Sequence, residues 1–282
     1  MEPLRLFDTH AHYDDPAFDA DRDSLLGETL PRAGVRGVVT SGTSYASCAA
    51  SQALAERYPY VWFTAGIHPE DAERDVRAAL GLPEPADDGG TEPLSDGQIE
   101  EGVRLAVLRV EPFLRHEKCV AVGEIGLDYH WPIDRRLQNT LFTRQLELAA
   151  AHNLPVVIHD REAHADTLAA LRRFRPRGTV HCFSGSAEMA KEVLALGLYL
   201  GFTGSITFKN NKKAPAVLAA TPCGRILTET DCPYMAPEPL RGSRCDSSMI
   251  SRTLPFIAQV KGVEEAEAAR FAEENARALF GL

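Results

Sequence analysis

Apolar and polar positions along the chain follow a repeating pattern. Eight short runs are rich in β-branched and aromatic residues: "RLFDTHAH", "GVVTSGT", "VWFTAGIHP", "CVAVGEIGLDYH", "PVVIHDRE", "GTVHCFSG", "LYLGFTGSITF" and "RILTETDCPY". Most are followed by a stretch in which apolar residues recur about once per turn, as Leu137, Leu141 and Leu148 do in "RRLQNTLFTRQLELAAAHN"; that is the spacing of an amphipathic helix. Strands alternating with helices build a parallel sheet. Eight is the number that closes an α/β barrel of the (β/α)8 TIM type, with a doubly wound open sheet as the alternative. No internal repeat or linker divides the 282 residues, so 1–282 reads as one domain. One interval breaks the rhythm: residues 80–101, "LGLPEPADDGGTEPLSDGQIEE", are rich in Pro, Gly and acid. They read as a surface excursion without chemistry, ahead of a helix running into Val110 and Phe113.

The strand runs begin apolar and finish on ionisable side chains. The first ends on His10 and His12, the third on His68, and the fourth passes through Glu124, Asp128 and His130. The fifth delivers His159, the sixth His181, and the last the pair Glu229 and Asp231. In a parallel barrel all these ends lie on one rim, the catalytic face. Residues two apart on a strand face the same side at about 6.6 Å spacing, so His10 and His12 can aim at one ion. Taken singly, His159 or His181 reads more readily as a satisfied, hydrogen-bonded core histidine than as a metal ligand. Four imidazoles and two carboxylates around one mouth are different, because charged groups at a buried site cost several kcal/mol each unless paired or coordinated. Divalent cations resolve that cost, so the joint pattern predicts a metal site.

Composition narrows the setting. The start "MEPLRLFDTHAH" has no basic region followed by a long apolar stretch, and no uncharged run approaches membrane-spanning length. The expectation is a cytoplasmic protein with no membrane association. The cysteines Cys48, Cys119, Cys182, Cys223, Cys232 and Cys245 are scattered without a CxxC pair, which points to reduced, buried thiols and against a thiolate zinc site. A net charge of -10 argues against general adhesion to nucleic acid, which rests on cationic side chains displacing counterions. A local site can override that average, since fields are screened within about 8 Å at physiological salt.

In order along the chain, "FDTHAHYDD", "GIHPED", "GEIGLDYH", "VIHDREA", "HCFSGS", "GFTGSITFKN", "TETDCPYMAP" and the closing "NARALF" resemble the successive motifs of the TatD-type metal-dependent deoxyribonucleases. That family belongs to the amidohydrolase-like superfamily of TIM-barrel metalloenzymes. The resemblance runs from residue 6 to the C-terminus. It implies that His10, His12 and Asp231 hold one metal ion, that His159 and His181 hold a second, and that Glu124 bridges the two. It also implies that His68 sits near the substrate phosphate. Two departures bear on substrate contacts. Where many relatives carry "RGKRNEP", this chain has "RGSRCDSS", keeping Arg241 and Arg244 but placing Cys245 and Asp246 where Asn and Glu are usual; the acidic stretch at 80–101 is also longer than in a compact relative.

The expected activity is hydrolysis of a DNA backbone, as an exonuclease on single-stranded or frayed ends, using a hydroxide that bridges the two ions. With neutral histidines the cluster carries about -2 from Glu124 and Asp231, and two divalent ions bring it to about +2, which draws in phosphate despite the acidic chain. Asp231 is the expected general base. Arg241, Arg244 and Lys209 are expected to grip flanking phosphates, since guanidinium forks match phosphate oxygens. Glu229 is assigned to orienting a ligand histidine, while Asp128 and His130 shape the rim. Mixed His and carboxylate ligands suit Zn, Mn, Co or Fe, with Mg able to support turnover. DNA is the expected partner, and no stable protein partner is evident. Two alternatives stand beside this reading: a small-molecule amidohydrolase or esterase on the same barrel, and a non-catalytic metal-binding scaffold.

Overall fold

The computed structural model describes residues 4–85 and 92–282; residues 86–91 of the acidic stretch lie outside them. Eight parallel strands form one sheet in the order of the chain: β1 (Leu6–Ala11), β2 (Val35–Ser41), β3 (Val61–Ala65), β4 (Cys119–Asp128), β5 (Val156–Arg161), β6 (Gly178–Val180), β7 (Tyr199–Phe202) and β8 (Ile226–Thr228). Sequential order with every neighbour parallel is the signature of a TIM barrel rather than a doubly wound sheet, whose strand order reverses. The seam between β8 and β1 closes just beyond the regular strand. His12 N donates to Cys232 O at 2.8 Å and Asp231 N to His10 O at 2.9 Å, while Thr228 Oγ1 donates to Phe7 O at 2.8 Å.

A helical segment over residues 22–32 links β1 to β2. The outer helices then follow: α1 (Tyr45–Arg57), α2 (Ala72–Leu80), α3 (Asp96–Val110), α4 (Arg135–His152), α5 (His164–Phe174), α6 (Ala187–Ala195), α7 (Ala214–Ala220), α8 (Ile250–Lys261) and α9 (Glu265–Phe280). Their starts are local chemistry. Ser44, Asp134 and Ser186 each accept a backbone N–H of the first turn, and Ser95 forms a capping box with Gln98. That box starts α3 inside the interval expected to be loop, since it needs only Ser95 and Gln98 at a three-residue spacing. β7 is shorter than its apolar run: the Thr203 side chain accepts Ser205 N, and residues 204–207 turn into a 3-10 helix.

The core lies inside and around the barrel. Phe7, Val39, Ala121, Val157 and Leu227 come from five different strands and pack with Ala276, Leu279 and Phe280 of α9, a contact that strands around a barrel make only through its interior. Apolar side chains therefore fill the end where the strands begin, each contributing about 1.5–3 kcal/mol when fully buried. The polar groups are left to the opposite end. Every residue of β4, Glu124 included, is buried.

Candidate metal centre

The mouth at the strand ends gathers His10 and His12 from β1 and its exit, His68 after β3, Glu124 from β4, His159 from β5, His181 after β6 and Asp231 after β8. Glu124 is the hub. Its Oε1 lies 2.9 Å from His159 Nδ1, 2.8 Å from His181 Nε2 and 3.4 Å from His68 Nε2. Its Oε2 lies 3.1 Å from His10 Nε2 and 3.6 Å from His12 Nε2. Asp231 Oδ1 completes the second group, 3.3 Å from His12 Nε2 and 3.6 Å from His10 Nε2. Each oxygen of one carboxylate thus faces a different set of imidazoles.

Several imidazole nitrogens point at one another rather than at distinct hydrogen-bond partners. His10 Nε2 and His12 Nε2 are 3.1 Å apart, and His159 Nδ1 and His181 Nε2 are 3.2 Å apart. The electrostatics lean the same way. Burial raises the Glu124 carboxyl, yet His181, His10 and His68 hold it well below the usual range; Asp231 is likewise lowered against its burial, by His12, His181 and His10. Burial depresses His12 and His159, but Asp231 and Glu124 carry the first up to about 9, and Asp128 and Glu124 carry the second up to about 10. His10, buried and beside His181, falls to about 4. Two anionic carboxylates therefore recruit positive charge into a closed space lined with nitrogen donors. His and carboxylate donors in this number fit divalent transition ions, so the residues present suit a metal.

Neighbouring groups aim these side chains. His10 Nδ1 meets Ser41 Oγ at 3.1 Å, and His159 Nε2 meets Asp128 Oδ2 at 2.9 Å; such partners fix the tautomer and orientation of a ligand ring. Asp128 therefore has the orienting place expected for Glu229. Glu229 instead accepts Cys182 N at 2.8 Å and Thr9 Oγ1 at 3.3 Å, with its carboxyl pushed up to about 8 by burial. The glycine at position 201 makes this possible, because a Cβ there would stand 2.0 Å from Glu229 Oε1. Asp8 stitches the seam: it accepts Thr230 N at 3.0 Å and Ser247 Oγ at 2.6 Å, and burial moves its carboxyl up to about 6. His68 Nδ1 accepts Glu70 N at 3.2 Å, so in the neutral ring Nε2 carries the hydrogen that faces the centre.

Residues 7–281 match the model of the family described as TatD related DNase. The chain belongs to that family. A metal-dependent hydrolase named YabD in Bacillus subtilis (strain 168), itself uncharacterized, is 34% identical over 98% of this chain and 99% of its own. The 3'-5' ssDNA/RNA exonuclease TatD of Cronobacter sakazakii is 33% identical over 98% of this chain and 97% of its own. The crystal structure of YJJV, a TatD homolog from Escherichia coli K12, superposes with a TM-score of 0.81 at 30% identity, covering 99% of both chains. The protein is thus a TatD-family hydrolase on a TIM barrel, and the histidines and carboxylates of its motifs meet on one rim.

The open cleft above the centre has a volume of about 1090 Å³. Arg241, Arg244 and Lys209 are not among its lining residues. Arg244 forms a two-pronged pair with Asp21 at 2.6 and 2.7 Å and lies over Phe18, while Arg241 lies over Phe208. The cations that do line the cleft are Arg74 and Arg161. Arg161 carried a usable signal, two residues beyond His159 on the same strand; Arg74 had none beyond following "GIHPED". In the departure at "RGSRCDSS", Cys245 is buried and Asp246 accepts Ser248 N at 2.9 Å to start a helical turn. Among the described residues no helix is long and apolar enough to cross a membrane.

Proposed function

We propose that this TatD-family hydrolase is a phosphodiesterase that removes nucleotides from the 3′ end of single-stranded DNA or RNA. The carrying observation is the division of Glu124, one oxygen toward each histidine set, within a single open cleft. His10, His12 and Asp231 would hold one divalent ion, His159 and His181 a second, and Glu124 would be shared. When bound, such ions supply Lewis-acid polarisation of phosphoryl oxygens and lower the pKa of water toward 7. Asp231 is the base in this reading. Its side chain is 14% exposed against 3% for Glu124, so it is the carboxylate of the centre that meets water in the cleft. It takes the proton of the attacking water as oxygen bonds to phosphorus and the 3′ oxygen of the chain-interior nucleotide leaves, which releases the terminal residue as a 5′-phosphate and renews the 3′-hydroxyl end. His68, with Nε2–H facing the centre, donates to a phosphoryl oxygen. The sequence identity to an exonuclease named for single-stranded DNA and RNA supports the substrate class.

The test is Asp231→Asn assayed with 3′- and 5′-labelled strands, with manganese and with chelator. Rate should fall on the order of 10²–10⁴-fold, the span typical of acid–base groups. Full activity in the variant would remove Asp231 from its role. Hydrolysis of esters or cyclic amides with no release of nucleotide would replace the nuclease reading with the small-molecule one.

A further inference from the structure

The cleft above the metal centre is chemically sided. The arc built from the exits of β1 and β3 presents Asp14, Asp15, Glu70 and Asp71. Its one cation, Arg74, is spent on Asp71 at 2.6 Å. On the arc built from β4 and β5 the one lining carboxylate outside the centre itself, Asp160, is taken by His164 Nδ1 at 2.8 Å. Trp131 stands there 45% exposed, and the Arg161 guanidinium lies 5.8 Å from its ring centroid. His130 meets the indole edge-on at 5.0 Å and is itself paired with Glu162 at 3.0 Å, so the indole is braced from its own loop. Arg161 enters no salt bridge among the described residues. An exposed indole beside an unpaired guanidinium is a waiting platform for a base and its phosphate.

We propose that Trp131 and Arg161 form the subsite for the nucleotide on the chain-interior side of the scissile phosphate, whereas the acidic arc receives the terminal nucleoside with a free hydroxyl and rejects a terminal phosphate. The proposal rests on the phosphodiesterase reading and adds to it which arc takes which side of the scissile phosphate and an end-group requirement. The physical basis is charge. A phosphate on the β1–β3 side meets four carboxylates that line the cleft, and charges facing one another across a cleft are screened less than those on open surface. A phosphate on the β4–β5 side meets an arginine. Stacking of a base on an aromatic ring contributes about 1–3 kcal/mol, which converts to roughly 5- to 150-fold in binding.

The experiment uses the full chain with manganese and three substrates: an oligothymidylate ending in a 3′-hydroxyl, the same strand ending in a 3′-phosphate, and bis(4-nitrophenyl) phosphate, which has neither base nor second phosphate. Trp131→Ala and Arg161→Gln should each raise KM for the hydroxyl-ended strand on the order of 10-fold more than KM for the small diester, with the loss on KM rather than kcat. The phosphate-ended strand should be cleaved at least about 10-fold more slowly than the hydroxyl-ended one, and the double variant Asp15→Asn, Glu70→Gln should narrow that gap. As a readout without turnover, indole emission of a Trp62→Phe protein in chelator should be quenched by the oligonucleotide, and no quenching counts against the platform. Equal rates on the two strand ends, or equal KM changes on strand and small diester, overturn the subsite while leaving the phosphodiesterase reading intact. Failure of the unaltered protein to cleave any of the three overturns the reading beneath it as well.

Discussion

His159 is held at both ends, with Nδ1 toward Glu124 and His181 and Nε2 2.9 Å from Asp128 Oδ2. Asp128 is fully buried and its other oxygen accepts His130 N at 2.9 Å, so the ring has one stable orientation. Removal of such an outer partner typically costs 10- to 100-fold in metal affinity. Asp128→Ala should therefore weaken binding of the ion that His159 would hold by that factor, measured by calorimetric titration of manganese into stripped protein; an unchanged isotherm would deny Asp128 its role. Gly201→Ala tests the same layer from the backbone. A Cβ there meets Glu229 at 2.0 Å, so the buried carboxyl must move and the hydrogen bond to Cys182 N be lost, with a cost of about 1–3 kcal/mol in stability. A denaturant midpoint equal to that of the unaltered protein would show that the barrel absorbs the methyl group. The side chains that converge at the mouth were legible because each is an ionisable residue where an apolar run ends. Asp128 and Glu229 were not separable in that way: both are acids at strand exits, and only the three-dimensional arrangement decides which one reaches a histidine. Arg241, Arg244 and Lys209 looked free in sequence, but two of them have partners, Asp21 for Arg244 and the Phe208 ring for Arg241, that come from outside their own segment.

At the scale of elements, the alternation of apolar runs was enough to place all eight strands, because buried parallel strands read as continuous β-branched stretches. Their lengths were less legible. β6 and β8 have three residues each, while isolated backbone hydrogen bonds continue past them, from His181 N to Ile158 O and from Asp231 N to His10 O. One inter-element contact carries its own prediction. Arg5, just before β1, donates two 2.8 Å hydrogen bonds to Glu273 of α9, tying the first strand to the last helix at the base of the barrel, and Arg277 adds two more at 2.9 and 3.0 Å. These arginines, Arg5 foremost, hold the Glu273 carboxyl below its ordinary 4.5 against partial burial. A depressed folded value means stability that is present above about pH 4.5 and is lost as pH falls through the folded value. Glu273→Gln should therefore flatten the acid limb of a plot of Tm against pH while lowering Tm near neutrality only slightly, because Arg5 is 61% exposed and solvent screens the pair. Parallel acid limbs in the two proteins would show that the clamp contributes nothing.

For the whole molecule the dominant tension is between an acidic chain of net charge -10 and a buried centre where Glu124 and Asp231 stay anionic against their burial. Bound cations relieve both at once. They neutralise the carboxylates, and they free His12 and His159 from holding protons. A ligand that binds only the folded state stabilises it by mass action, about 2.7 kcal/mol at one hundred times its dissociation constant. For a chain somewhat larger than 250 residues, each kcal/mol shifts Tm by roughly 2–4 °C, so manganese at that excess should raise Tm by about 5–10 °C over chelated protein. Surface carboxylates are numerous enough to bind manganese weakly, and they would give a shift that any variant shares. Glu124→Gln separates the two, because it replaces the one group that faces both histidine sets and leaves the surface unchanged. The manganese-dependent rise should shrink to less than half in that variant. If it persists in full, the stabilising ions sit elsewhere on the acidic surface, and the convergence of seven side chains at the barrel mouth has some purpose other than holding metal.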